Sequence, residues 1–370
     1  MELKLATNSQ KQAWVLDYVK EYVSESGFLP YMGSSTGSII RVRNELKNGG
    51  SLINVPLVMA LDGTGVTGSQ VLSGNEDDMG NANDQVRVNY IRNAVKVTKN
   101  ESFKTELDLL GAAKDRLRSW ASSKLRADIV TALGSQIVQG TVDSDGFSTD
   151  TAVAYGDATA SQKNAHLVAN TDRTYFLGGS GSSGVQATAL ATVDATNGKW
   201  TAAKVGIAIR KAKATRTGAS ISITPYKSDA TAGREWYVLF VDSIAFRDLS
   251  ADSTIITANQ NARERDVNTN PVFQGGDLIY NGVIIREIPE LDTLALTGVG
   301  GSSTDVGIAF LCGLSAVTVA WGQQPQLVSE EMDYAFRKGI GTEEIRGVKK
   351  TSFNGVQYGV VTCYHNRTAD

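Results

Sequence analysis

The chain has almost no cysteine, histidine or proline: two, two and six residues respectively among 370. Two cysteines cannot build a disulfide framework. Cys312 and Cys363 each sit inside an apolar run, AFLCGL and VVTCYH, and are read as buried, reduced thiols acting as small hydrophobes. Two histidines leave little room for nucleophilic catalysis, which needs a base held by an orienting carboxylate. His166 lies in a polar stretch of low complexity and His365 ends an alternating strand, so neither has such a setting. No cysteine pair at two-residue separation, no HExxH and no GxxxxGKS/T loop occurs, so the common zinc and phosphate-loop chemistries have no motif. Scarce proline beside 37 glycines speaks for strand-linking turns and against a proline-rich disordered chain. A basic surplus is missing too. The formal net charge of −3 argues against a dedicated DNA binder while allowing weak contact with nucleic acid. No run reaches the ~18 apolar residues that a membrane span needs. Residues 1–9 lack a basic segment followed by an apolar one, so no signal peptide is expected. These absences predict a protein made and used in a cytoplasm, and a native Met1 would mean that no propeptide is removed.

What is present suits a sizeable core, with 41% hydrophobic and 20% charged residues. Residues 9–26 read as an amphipathic helix: Trp14, Tyr18 and Tyr22 recur every fourth position, Ser9 and Gln12 form a capping box, and Gly27 and Pro30 stop it. Residues 33–50 read as an extended arm. Residues 53–61 alternate as a strand, residues 85–97 as a second, and the Gly-, Asn- and Asp-rich stretch between them makes a long hairpin with a large tip. A two-stranded hairpin is marginal alone in water, so it must pack on a distant part of its own chain or on a neighbour. Residues 102–137 keep helical apolar spacing and would span ~50 Å as one helix. Residues 139–199 have weak periodicity and read as loops and short strands. A second helix over 201–214 ends in Arg210, Lys211, Lys213 and Arg216, which a solvated face explains as well as a nucleic-acid contact does. Buried strands are predicted over 236–241 and 307–312, a short helix over 314–321, and a last strand over 356–365. Asn281-Gly282 between two apolar runs is a strong hairpin signal. The pattern is α+β.

Gly63, Gly65 and Gly68 satisfy GxGxxG directly after an apolar strand. A dinucleotide site needs a helix to start there, and the residues that follow are poor helix material. Glycines supplying positive φ at a hairpin tip explain the spacing better. The carboxylate runs Glu330, Glu331, Asp333 and Glu76, Asp77, Asp78 read as solvated or interface charge.

Four stretches, taken in order, resemble the tailed-bacteriophage major capsid proteins of the Hong Kong 97 fold. They are VPLVMALDGTGVTGSQVLSGNEDD, VNYIRNAVKV, NPVFQGGDLIYNGVIIREIPEL, and the block from Gly307 to the end with FLCGLSAVTVAWG, EEMDYAFRKGIG and GVKKTSFNGVQYGVVTCYH. In the second, Asn93 stands where the family usually has His. The resemblance implies an α+β subunit with an N-terminal helix and arm (1–50) and an extended E-loop hairpin (51–99). It further implies a P domain (100–226) with a spine helix (102–137) and a possible insertion (139–199), an A domain (227–338), and a return to the P domain (339–370). It implies assembly residues at the hairpin tip, Gly63, Gly65, Gly68, Leu72, Gly74, Asn75 and Glu76, and on the N-terminal helix, Trp14, Tyr18 and Tyr22. The implied function is self-assembly into pentamers and hexamers of an icosahedral head. That head would be built in the bacterial cytoplasm around double-stranded DNA, with no enzyme activity, no cofactor and no metal. Implied partners are further copies, a separate scaffolding protein, a portal and a possible decoration protein. The alternatives are an encapsulin-like nanocompartment, another virion structural protein, or a nucleotide-dependent enzyme using the glycine motif.

Overall fold

The computed structural model describes residues 27–58, 65–76, 81–104, 108–140, 150–179, 184–214, 222–229, 233–262 and 278–368. The helix expected over 9–26, with Trp14, Tyr18 and Tyr22, lies outside them, as do Gly63, Asp77, Asp78 and Arg216. The chain forms two compact units. One contains Tyr90–Lys124 and Gln324–Ile345, the other Ser26–Asn89, Leu125–Gln323 and Arg346–Asp370.

In the larger unit, the apolar runs become central strands. Val306–Cys312 and Val360–Asn366 are buried along their whole length and Arg234–Val241 from Tyr237 onward, as strands of a covered sheet should be. They belong to a seven-stranded sheet in the order Leu278–Tyr280, Val283–Glu287, Arg234–Val241, Val306–Cys312, Val360–Asn366, Thr174–Phe176, with Lys227–Asp229 pairing beside Arg234–Val241. The sheet is mixed. Arg234–Val241 runs parallel to Val283–Glu287 and antiparallel to Val306–Cys312. Asn281 and Gly282 close the edge hairpin at φ 48° and 76°, which a type I′ turn requires.

Side chains alternate across this sheet and split into two apolar layers. Val238, Phe240, Ile308, Phe310 and Tyr364 face one layer with Ile129, Leu133, Leu167 and Phe176. Leu239, Val241, Leu311, Val361 and Cys363 face the other with Trp200, Val205, Ile209 and Leu249. Each large apolar side chain buried in this way contributes about 1.5–3 kcal/mol. Phe28 and Tyr31 stand edge-on to Phe240, with centroids at 5.2 and 5.3 Å.

Several expectations are corrected. The segment 33–50, read as an extended arm, enters the core: Ile39 and Ile40 are buried, and Ile40–Arg43 pairs in parallel with the start of Val317–Met332. The predicted helix over 314–321 is this strand, because Val317, Val319 and Trp321 share one layer at period two and Thr318 points away to Thr351. The long helix runs Leu109–Gly134, preceded by a separate short helix Lys99–Lys104, and Ile137 belongs to strand Gln136–Val138. The second hairpin strand divides into Asn81–Arg87, which pairs with Leu52–Val58, and Asn89–Thr98, which joins a different sheet. Within 139–199, read as loops and short strands, the described residues contain short strands but also helices that enter the core. Helix Ala160–Ala169 starts at a Thr159–Gln162 capping box, and Leu167, Phe176, Leu190 and Val193 are buried in the core.

The smaller unit holds the outer parts of strands Val317–Met332 and Arg337–Lys350, strand Asn89–Thr98 and the first half of the long helix. Its core is thin. Among the described residues, its buried apolar side chains are Ala113, Leu117, Ala121 and Ile340, and no residue of Asn89–Thr98 is fully buried.

Candidate assembly surfaces

Leu52–Val58 and Asn81–Arg87 form the hairpin, with Ile53 opposite Val86 and Val55 opposite Asp84. Alternation puts Ile53, Val55 and Val86 on one face, where they pack with Leu46 and Ala320. Among the described residues, this packing is at the base. Further out, Val58 is already 60% exposed.

A charged cluster locks the base. The Lys349 ammonium is buried against the Asp84 carboxylate and donates to the carbonyls of Gln85 and Asp150 at 3.1 and 2.7 Å. Burial pushes the Asp84 carboxyl up from its ordinary range, and Lys349 opposes that shift. The Asp150 carboxylate accepts from the Gly355 N–H at 2.9 and 2.8 Å. Next along the chain, Lys350 donates to the carbonyls of Leu133 and Ser135 at 3.2 and 2.6 Å, capping the negative end of the long helix. Complete burial pushes the Lys350 ammonium down to about 7.

The described part of the tip, residues 65–76, contains no helix. The geometry a dinucleotide site would need after GxGxxG is therefore missing there. Gly65, Gly68 and Gly74 take φ of 64°, 67° and 88°, the left-handed values that explain glycine at these positions. The turn around Gly74 closes on itself. The Glu76 carboxylate accepts from the Gly74 N–H at 2.7 Å. The Asn75 amide donates to the Val71 carbonyl at 2.9 Å, and the Asn75 N–H to the Leu72 carbonyl at 2.9 Å. Leu72, Gly74, Asn75 and Glu76 thus come together in one preorganised turn that holds Val71 69% and Leu72 58% exposed.

A second exposed feature was missed in the sequence. Strands Val317–Met332 and Arg337–Lys350 are joined through Asp333, Tyr334 and Ala335, all at positive φ (54°, 50° and 63°). Tyr334 and Ala335 occupy the centre of a type I′ turn closed by the Phe336 N–H on the Asp333 carbonyl at 2.9 Å. Tyr334 is fully exposed, and Phe103 in the same unit is 92% exposed. The only cue was an aromatic pair between acidic EEMD and basic RK. Those charges pair locally, Lys338 with Glu331 at 3.0 Å and Arg337 with Asp333 at 4.0 Å.

The remaining candidates serve the fold. The ring of His166 accepts from the Ile137 N–H at 3.0 Å, and burial pushes its pKa down to about 3. His365 is buried beside Asp242, which also caps helix Ser243–Ala251 through the Ala245 N–H at 2.8 Å. Cys312 and Cys363 are free and buried, and desolvation raises both thiols. In the basic helix end, Lys213 pairs with Glu235 at 2.7 Å and Lys211 donates to the Thr171 carbonyl at 3.2 Å. Among the described residues no group of three metal-ligating side chains occurs, and no helix is long and apolar enough to cross a membrane.

Proteins grouped as "Phage capsid protein" match residues 5–367 of the chain. The capsid chain of cyanophage Pam1 is 40% identical, with full coverage of both chains (100% each) and a TM-score of 0.90. The major capsid protein of Pseudomonas phage KPP25 is 24% identical over 374 residues, covering 97% of this chain and 95% of that one. The capsid of Ralstonia phage GP4, at 19% identity and a TM-score of 0.73 over 98% and 96% of the two chains, has the same fold.

Proposed function

The chain belongs to the phage capsid protein family and is a major capsid protein of the virion head; from that premise we propose how its parts build the shell. Copies associate as pentamers and hexamers that close around double-stranded DNA. The hairpin 52–87 extends onto a neighbouring subunit, and its tip residues Gly63, Gly65, Gly68, Leu72, Gly74, Asn75 and Glu76 form the contact. The helix read over 9–26 buries Trp14, Tyr18 and Tyr22 against a neighbour in the same way. One observation carries the reading: a self-closed turn holds two large apolar side chains, Val71 and Leu72, in water at the end of an anchored hairpin. Exposed apolar groups on a preorganised support mark interaction sites. Weak contacts of this kind, repeated around every subunit, make the closed shell stable through multivalency. The chain takes no catalytic part. A separate scaffolding protein, a portal and a decoration protein are its expected partners.

Negative-stain microscopy of the purified protein, alone and co-expressed with a candidate scaffold, tests this reading. Closed polyhedral particles holding nuclease-protected DNA are expected when packaging proteins are present. Particles filled with an enzyme would favour a nanocompartment, and tubes or rings would place the subunit elsewhere in the virion.

A further inference from the structure

The motif GVKK, Gly347 to Lys350, lies near the end of strand Arg337–Lys350 and was left without a role by the sequence. Successive strand residues point to opposite faces. Here the two faces meet two different elements. On one face, the Arg346 guanidinium is buried at 2.7 Å from the Asp128 carboxylate and lies over the Trp321 ring at 5.9 Å, while Lys350 holds the carbonyls of Leu133 and Ser135. Both therefore grip the last turns of the long helix. On the other face, Lys349 pairs with Asp84 of the hairpin's return strand. A Cβ at Gly347 would run into the Arg87 carbonyl, so glycine is what lets the strand lie close there. The Asp84 carboxylate also accepts from the Ser352 N–H at 3.4 Å.

We propose that Arg346–Lys350 is a coupling segment: two cationic side chains fasten it to the long helix, Lys349 and Gly347 fasten it to the hairpin, and together they fix the angle at which the hairpin leaves the subunit for assembly. This rests on the reading of the hairpin as an assembly arm. These are positioning residues, since none needs to touch a neighbouring copy. Burying the basic groups of Arg346, Lys349 and Lys350 is an expensive way to hold a strand that apolar side chains could hold. Their directionality is the reason to keep them, because a hydrogen-bonded charge specifies one register and one angle where apolar packing tolerates several.

Hydrogen exchange on the unassembled subunit tests the coupling. Lys350→Met acts on the helix face and Asp84→Asn on the hairpin face. Coupling between two sites is reciprocal. Lys350→Met should therefore speed exchange in Asn81–Arg87, and Asp84→Asn in residues 129–135, each by about tenfold. Acceleration confined to the substituted element would overturn the proposal. Should either variant fail to fold, the unmodified chain decides: Asn81–Arg87 and 129–135 should open together, with matching denaturant dependence, and openings separated by more than about tenfold would refute the coupling. Assembled Lys350→Met subunits should give shells of mixed diameter beside uniform unmodified shells, and a uniform, unmodified diameter would equally refute it. Failure of the unmodified chain to form shells would instead count against the assembly reading, leaving the exchange result standing.

Discussion

The two units differ in what they bury. The larger covers both faces of a seven-stranded sheet, with layers led by Phe240, Phe310 and Tyr364 on one side and Leu239, Leu311 and Trp200 on the other. The smaller has strands and the first part of the long helix, and among its described residues few side chains are buried, with Phe103 and Tyr334 left in water. The two-residue hairpin turns differ, although Ser302, Ser303 and Ser315 of the larger unit also take positive φ (56°, 60° and 52°). In the larger unit, Asn281-Gly282 and Asn354-Gly355 provide the left-handed backbone with the residues that tolerate it. In the smaller, Tyr334-Ala335 adopts the same geometry without that chemistry. The larger unit's sheet is covered on both faces by its own chain, whereas Phe103 and Tyr334 of the smaller unit are left exposed within the subunit.

Breaking the self-sufficient half should have the largest effect. Phe240→Ala removes a ring packed by Phe28 and Tyr31 and should cost about 3–5 kcal/mol, seen as a lowered midpoint in urea unfolding of the subunit. A medium effect should come from acid. The His166 pKa is pushed from 6.5 to about 3, so between these values the unfolded chain binds a proton that the folded one refuses. Stability from this group is therefore complete above about 6.5 and falls by up to about 1.4 kcal/mol per pH unit as pH drops toward 3. His166→Gln should flatten that part of the pH dependence, and an unchanged slope between pH 6 and 4 would contradict it. Tyr334→Asn with Ala335→Gly should relieve the strained turn and stabilise the isolated subunit by roughly 1 kcal/mol. The same change removes an exposed ring, so calorimetry and shell yield should move in opposite directions.

The strands of the self-sufficient half were legible because continuous apolar runs and an Asn-Gly turn are local signals. Helix Ala160–Ala169 was missed because alanines dilute its periodicity, although Thr159 and Gln162 spell its cap. The run AVTVAW was misread as helix because a short apolar segment fits either period until its partner strand Ile40–Arg43 is known. At the tip, Leu72, Gly74, Asn75 and Glu76 were singled out by resemblance; within the subunit the turn's hydrogen bonds account for Asn75 and Glu76, and its positive φ for Gly74. The base was illegible. Asp84 and Lys349 are 265 residues apart, and no local pattern announces a buried pair across that distance. The hairpin's limits also needed the structure, since Asn81–Arg87 belongs to its anchored return strand.

A hairpin tip that serves the assembly and not the subunit can lose its apolar side chains without loss of the fold. This is tested most directly by replacing Val71 and Leu72 together with Ser and measuring shell yield by electron microscopy beside the melting temperature of the unassembled chain. An unchanged melting temperature and loss of closed shells are expected. Normal shells at normal yield would contradict that role of the tip.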